Sequence, residues 1–206
     1  MGEPGRWASA RDRLLPKAVS ASDGPWSWWP HWKRVSTAQA VGVSIACALL
    51  FLFIWTDDDG YLLFLDTGNL IIHEGGHFLF AWLGETISLW GGTILQLAVP
   101  LAVVAYAAKQ EEPAGAALAL VWFFENFLNV ARYMADARTQ ALPLVGGNIH
   151  DWGAILGGLG LLRYDVILAA WLRRLGWIGM IASWAWLLWR VWEDRQPEAT
   201  RSRSHL

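Results

Sequence analysis

Cysteine is almost absent from this sequence. The chain of 206 residues contains a single cysteine, Cys47, which lies inside an apolar run. One cysteine excludes an intrachain disulfide and a cluster of thiolate ligands. A metal site in this chain would therefore need histidine, aspartate or glutamate as ligands.

Charged residues are also scarce. They make up 17% of the chain, whereas soluble domains carry about 25%. The formal net charge of −2 argues against a nucleic-acid partner. The first 36 residues contain no continuous apolar segment with a small-residue cleavage site, so we expect no cleavable signal peptide.

Long apolar blocks dominate what is present. Hydrophobic residues make up 55% of the chain, and the mean hydropathy is +0.30. Many of the 16 tryptophans lie at the edges of the apolar blocks, and indole rings favour the membrane–water boundary. The sequence therefore predicts an all-α, polytopic membrane helix bundle with five or six transmembrane helices, surrounded by the lipid bilayer.

The blocks divide the chain into three parts. Residues 1–36 form a basic and aromatic N-terminal segment, which we expect in the cytoplasm. Residues 37–192 form a membrane-embedded domain, and residues 193–206 form a polar tail that we expect to be disordered.

The first span predicts the orientation of the chain. Residues 37–55 carry no charge; basic residues precede them, and the acidic run Asp57–Asp59 follows them. The excess of lysine and arginine before the span places the N-terminus in the cytoplasm. Further apolar blocks lie at residues 61–83, 93–108, 114–134 and 175–192.

The number of spans depends on the segment after the predicted loop at residues 135–151. Five spans would leave the basic tail outside the cell, against the positive-inside rule. Six spans would require residues 152–172 to cross the membrane, or to dip in and return, despite Arg163 and Asp165.

Two histidines and a glutamate interrupt the second block, in the stretch LIIHEGGHFLF at residues 70–80. Residues four apart share one face of a helix, so His73 and His77 can bind one cation while Glu74 lies beside them as general base. This is the HExxH arrangement of zinc metalloproteases, and it predicts Zn²⁺ with a third protein ligand. Alternatively, the histidines are structural and hydrogen-bonded between helices. Gly75 and Gly76 fit both interpretations, because small residues let a helix or a substrate strand approach closely.

One candidate third ligand is Asp136. It ends a stripe of polar residues spaced four, three and four apart, namely Glu125, Asn129, Arg132 and Asp136. We expect this stripe to face the second block, with Asn129 and Arg132 supporting the ligands or the transition state. The alternative is a network of Glu125, Arg132 and Asp136 that only holds helices together.

The other candidate third ligand is His150. Two of the five histidines, His31 and His205, lie outside the membrane-embedded region, which leaves His150 beside the motif pair. The neighbouring Asp151 would orient an imidazole or cap a helix that begins at Trp152.

The HEGGH segment, followed after further spans by an asparagine-containing helix and an aspartate, resembles the site-2-protease-like intramembrane zinc metalloproteases. The resemblance implies a helix bundle in which His73 and His77 bind zinc, Glu74 is the base and Asp136 is the third ligand. The later motif of that family has asparagine, proline and then Leu-Asp-Gly, and this chain lacks the proline and the glycine. Residues 136–152 also resemble a small bacterial membrane-protein family that has the same HExxH motif.

These features predict an intramembrane zinc metalloprotease that cleaves peptide bonds in a membrane protein or peptide. In this hypothesis Glu74 activates a zinc-bound water. One alternative is a zinc-dependent hydrolase of a lipid or a small amphiphile. Another is a non-enzymatic metal-binding membrane protein, such as a carrier, although polar residues concentrated in the second and fourth blocks favour a single site.

Overall fold

The computed structural model describes residues 31–56, 63–145 and 149–196. This part of the chain is helical and contains no strand. The helices are α1 (Thr37–Thr56), α2 (Leu63–Phe80), α3 (Glu85–Lys109), α4 (Pro113–Ala135), α5 (Asp151–Gly158) and α6 (Asp165–Asp194). Short 3-10 turns, Ala81–Leu83 and Leu162–Tyr164, precede α3 and α6. Most of the predicted N-terminal segment and of the predicted tail lies outside the described residues.

Four helical segments among the described residues are long and apolar enough to cross a membrane. They are α1, α3, α4 and the segment Leu162–Asp194, which contains α6. The predicted all-α architecture is confirmed, whereas the predicted count of five or six spans is not. The helix that carries the HEGGH motif, α2, is not among the four.

Most predicted blocks agree with helices, but two helices begin earlier than the sequence indicated. Helix α3 begins at Glu85 and includes Gly91 and Gly92, which pack closely against α2. Helix α6 begins at Asp165 and includes Arg173 and Arg174. Both arginines are exposed on the side of the helix, so they do not interrupt it.

The centre of the bundle is the contact between α4 and α6. Two glycines of α6 make it possible: a Cβ on Gly176 would lie 2.2 Å from Leu128 Cδ1, and one on Gly179 would lie 2.1 Å from Phe124 Cδ1. Since only hydrogen fits at these two positions, the backbone of α6 lies directly against the side chains of α4. Small residues are typical of such close contacts between membrane helices.

The two ends of the bundle can be identified from contacts. At one end Val35 N–H donates to Asp194 Oδ2 (2.9 Å) and Lys33 pairs with Glu112 (2.9 Å), which joins the start of α1, the turn between α3 and α4, and the end of α6.

At the opposite end, Ile54 of α1 lines a cavity with Ala135 and Val166. The rings of Trp90 in α3 and Trp152 in α5 are 5.7 Å apart. Helix α1 therefore ends, and α3 begins, at the end of the bundle that carries α5.

The distribution of polarity is the reverse of that in a soluble protein. Phe64, Ile71 and Phe78, spaced seven residues apart along one face of α2, are strongly exposed. Asp66 and Asn69 on the opposite face are almost completely buried. An apolar exterior around polar residues is the arrangement that a lipid environment favours.

Candidate metal centre

The site is positioned by a glycine contact between α2 and α3. A Cβ on Gly76 would lie 2.2 Å from the Gly91 carbonyl oxygen and 2.8 Å from Gly92 Cα. A Cβ on Gly92 would lie 2.6 Å from His73 Nε2. The two backbones therefore touch, and the His73 imidazole lies directly over α3. Gly75 has only Leu95 Cδ2 nearby, at 3.8 Å, so Gly76 is the glycine of the motif that this helix contact requires.

Both motif histidines face one carboxylate. His73 Nε2 and His77 Nε2 each lie 3.1 Å from Asp151 Oδ2. One ligand atom from each of the three residues lies within 4.8 Å of the other two, which is close enough to hold a metal ion. The helical spacing of the motif thus brings the two imidazoles together, and the first residue of α5 completes the group.

The other ring nitrogen of each histidine contacts an oxygen of α3. His73 Nδ1 lies 3.0 Å from Gln96 Oε1, and His77 Nδ1 lies 2.7 Å from the Ser88 carbonyl oxygen. Metal-binding histidines commonly donate their second ring N–H to such an oxygen, because this fixes the tautomer and the ring orientation.

These contacts allow a test of whether a cation fits. The Ser88 carbonyl can only accept, so His77 Nδ1 carries the hydrogen, and in a neutral ring Nε2 is then a lone pair directed at the Asp151 carboxylate. A cation between the lone pairs and the carboxylate would remove this repulsion. Tetrahedral zinc, with bonds of about 2.0–2.1 Å, separates its ligand atoms by about 3.3 Å. The two histidine–carboxylate separations of 3.1 Å are close to that value, and the three ligand atoms all lie within 4.8 Å of one another, so the group could hold a metal ion.

Of the two roles that the sequence offered for Asp151, contact with an imidazole is observed and the helix cap is not. It is the first residue of α5, and the cap of this helix is His150, whose Nδ1 accepts from Gly153 N–H (3.2 Å). The Asp151 N–H donates to the Tyr133 hydroxyl (3.3 Å), which ties the helix start to α4. Burial would raise the pKa of Asp151, but the His73 and His77 imidazoles beside its carboxyl group lower that pKa to about 2. Its side chain is therefore a carboxylate at neutral pH.

The two predicted third ligands, Asp136 and His150, lie next to each other and are not members of the group formed by His73, His77 and Asp151. Asp136 Oδ2 is 3.5 Å from His150 Nε2, and the Tyr133 ring stacks on the His150 imidazole at 4.1 Å. The Asp136 carboxylate also accepts from the Ala141 and Leu142 amides at 2.9 and 3.0 Å. The structure thus brings together His73, His77 and Asp151, and places Asp136 and His150 in the support of the chain segment that carries Asp151.

Glu74 is half-buried and lines a cavity of about 440 Å³ together with His73. Apolar side chains form much of its wall, including Leu70, Val130 and Leu142. The remaining lining includes Asn129 and Arg132, the residues that the sequence suggested as supports of a reaction. The cavity volume lies in the range of about 300–1,000 Å³ that is usual for ligand pockets.

The polar stripe of α4 faces α2, as predicted. Glu125 Oε2 accepts from Asn69 Nδ2 (3.0 Å), and Asn129 Nδ2 donates to Asp66 Oδ1. The last residue of the stripe, Asp136, turns away to its own loop. The stripe therefore separates into a part that contacts α2 and a part that folds the loop.

Several polar residues around the site were not identified from the sequence. Asp66 and Asn69 precede His73 and His77 with spacings of three, four and four, which places all four on one face of α2. This periodicity was a readable signal. Gln96 carried a weaker signal, a single amide in an apolar run, and the Ser88 contact, made through the backbone, carried none.

No protein-family model, no curated protein and no solved structure matches this chain. The geometry of the chain itself therefore carries the functional argument.

Proposed function

We propose that this protein is a membrane-embedded, metal-dependent peptide hydrolase. The observation that carries the proposal is the convergence of His73, His77 and Asp151 on one point, with Glu74 of the same helix turn lining the adjacent cavity. Two imidazoles and a carboxylate form a hydrolytic zinc donor set, and zinc is the ion that we propose for the site.

Each side chain then has a distinct role. When bound, zinc lowers the pKa of a coordinated water and polarises the carbonyl under attack. Glu74 would accept the proton of the attacking water at a carboxylate oxygen and return it to the leaving amine. Gln96 and the Ser88 carbonyl orient the two imidazoles. Arg132, which lines the same cavity, would stabilise negative charge that develops on the substrate.

The cavity favours an apolar substrate segment. Its wall contains Leu70, Val130, Leu142, Leu144 and Val145, which would accept the apolar side chains of a peptide within or beside the bilayer. The same wall also suits an acyl chain, so a lipid or another amphiphile is the second candidate substrate.

We also propose four membrane crossings, with both chain termini in the cytoplasm. Helix α1 ends and α3 begins at the same end of the bundle, so α2 would enter the bundle without changing sides. An even number of crossings places the basic N-terminal segment and the basic tail on one side, in agreement with the positive-inside rule. The basic tail then no longer lies outside the cell, as it would with five spans.

Metal content tests the site. Mass spectrometry of purified wild-type protein supplied with zinc should find one ion per chain. We expect His73→Ala and Asp151→Ala to lose the ion, and Asp136→Ala and His150→Ala to retain it. Wild-type protein without metal would refute the hydrolase proposal. Loss in Asp136→Ala but not in Asp151→Ala would identify Asp136 as the third ligand instead.

The proposed role of Glu74 as the general base can be tested by substitution. Protein in detergent micelles is incubated with apolar peptides and, separately, with phospholipids, and the products are identified by mass spectrometry. Glu74→Gln should retain zinc and lose cleavage, whereas the matched control Glu85→Gln, at the exposed start of α3, should retain both. Cleavage of lipids alone would select the second candidate. No cleavage of either class by zinc-loaded protein would favour a non-enzymatic metal-binding protein.

A further inference from the structure

A chain of hydrogen bonds between side chains connects His73 to the carboxyl group of Asp66 on its own helix. His73 Nδ1 contacts Gln96 Oε1 (3.0 Å), Gln96 Nε2 donates to Asn129 Oδ1 (2.9 Å), and Asn129 Nδ2 donates to Asp66 Oδ1. It passes from α2 through α3 and α4 and back to α2. Asp66 and Gln96 are each 2% exposed, and both line the cavity that also contains His73.

The Asp66 carboxylate determines which group donates and which accepts in each of these hydrogen bonds. Asp66 as a carboxylate has no proton to donate, so Asn129 must present its NH₂ group to Asp66 and its oxygen to Gln96. Gln96 must then present its NH₂ group to Asn129 and its oxygen to His73. The His73 ring can meet that oxygen only with an N–H at Nδ1, which leaves the lone pair on Nε2.

We propose that Asp66 is a positioning residue that selects the metal-binding tautomer of His73 through Asn129 and Gln96. This inference rests on the proposed function in that His73 binds zinc through Nε2. Amide groups can turn over end to end with little change of shape, so Gln96 and Asn129 alone would permit either direction. If the direction of these hydrogen bonds were reversed, a Gln96 N–H would point at His73 Nδ1. The ring proton would then lie on Nε2, where zinc should bind.

The substitution Asp66→Asn tests the proposal, because an amide at this position can donate as well as accept. The matched control is Glu125→Gln, which replaces a second buried carboxyl group that pairs with Asn69 and is not a member of this hydrogen-bond chain. Zinc affinity is measured by competition with a chelator. Partners of this kind commonly change metal affinity 10–100-fold, so we expect at least a tenfold loss in Asp66→Asn and less than a twofold change in Glu125→Gln. Equal affinities in the two variants would overturn the proposal.

The tautomer can also be observed without metal. In Asp151→Ala the carboxylate that competes for the Nε2 proton is removed, and ¹⁵N-histidine NMR at about pH 9 reports the neutral ring. The proposal requires the Nδ1–H form of His73, assigned by comparison with His73→Ala, and a shift toward Nε2–H when Asp66→Asn is added. The Nε2–H form in Asp151→Ala alone would overturn the proposal, even if Asp66→Asn failed to fold.

The two measurements separate this inference from the proposed function. Wild-type protein that binds zinc and cleaves peptides, but with unchanged zinc affinity in Asp66→Asn, would overturn the inference and leave the function intact. Wild-type protein without zinc would refute the function, while the NMR experiment would still decide the tautomer.

Discussion

At the scale of single residues, Gly92 is a position where one added methyl group would directly disturb the candidate metal centre. Its Cβ would lie 2.6 Å from His73 Nε2 and 2.7 Å from Cδ2 and Cε1 of the same ring. In Gly92→Ala the imidazole must leave its place, so we expect zinc affinity to fall at least tenfold. Chelator competition with the purified variant measures this.

The control for Gly92 is a glycine of a membrane helix with open space around it. Gly42 in α1 has no atom within 4 Å of its ideal Cβ. Alanine favours a helix over glycine by about 1 kcal/mol, so neither substitution should weaken its helix. Gly42→Ala should therefore retain wild-type zinc affinity, and a similar loss in both variants would contradict the role assigned to Gly92.

Asp136 gives a second residue-scale prediction, which concerns stability. Burial opposes ionisation of this carboxyl group, but hydrogen bonds from the Thr139 hydroxyl and from the Leu142 and Ala141 amides hold its pKa below the usual value. Asp136→Asn loses the charge and directs an NH₂ group at one of these donors. We expect this variant to keep zinc and to lose about 1–3 kcal/mol of unfolding free energy.

The pH dependence of this loss has a definite sign. A carboxyl group whose pKa is lower in the folded protein contributes its stabilisation above its unfolded pKa, which is about 3.9. The stabilisation disappears as the pH falls through the folded pKa. Denaturant unfolding should therefore show the full difference between wild type and Asp136→Asn at about pH 6 and a smaller one at about pH 3. Equal differences at both pH values would be inconsistent with an ionised Asp136.

At the scale of helices, the contact between α2 and α3 holds the site together. A Cβ on Gly76 would lie 2.2 Å from the Gly91 carbonyl oxygen, a backbone atom that can yield only if the helices separate. Gly76→Ala should therefore destabilise the protein by about 1–3 kcal/mol and also weaken zinc binding, because His73 and His77 are oriented by residues of α3. Unfolding and chelator competition measure the two effects.

Gly75 provides the matched control for the helix contact. It is the neighbouring residue in the same motif, and its ideal Cβ meets only Leu95 Cδ2 at an ordinary 3.8 Å. Gly75→Ala should be neutral or slightly stabilising and should bind zinc normally. If the two variants were equally impaired, the motif glycines would act through something other than this contact.

The sequence predicted most helices because length and apolarity determine them locally. The predicted spans at residues 37–55 and 114–134 differ from α1 and α4 by one residue at any end. The start of α6 was missed because Arg163 and Asp165 appeared to interrupt the apolar run. In the structure the Arg138 Nε–H is shared between the two carboxylate oxygens of Asp165 (both 2.8 Å), and this partner is not visible in a local pattern.

The candidate site was predictable only in part, for a related reason. The spacing of His73 and His77 is a property of one helix turn, so the sequence indicated their common face. The choice among Asp136, His150 and Asp151 depends on where the start of α5 lies relative to α2. Two adjacent side chains point in different directions: His150 faces Asp136, whereas Asp151, the first residue of α5, faces the imidazoles. No periodicity in the sequence distinguishes these two directions.

At the scale of the whole molecule, α2 differs from the four long apolar segments, because one of its faces is polar and buried. Helix α2 buries Asp66, Asn69 and His73, and its partners on α3 and α4 are Gln96, Glu125 and Asn129. Such groups are costly to expose to lipid, so the surrounding helices must be in place for α2 to occupy the membrane. The contacts with α3 and α4 thus cover the polar face of α2.

The proposed topology predicts which residues a membrane-impermeant maleimide can reach. In a Cys47→Ala background, single thiols are introduced by Arg34→Cys and Gln196→Cys at one end of the bundle and by Arg163→Cys at the other. Intact cells should be labelled only in Arg163→Cys, because both chain termini would lie in the cytoplasm. Permeabilised cells should be labelled in all three, which shows that every thiol is reactive. Labelling of Gln196→Cys but not of Arg34→Cys in intact cells would mean an odd number of crossings, with α2 as a full span.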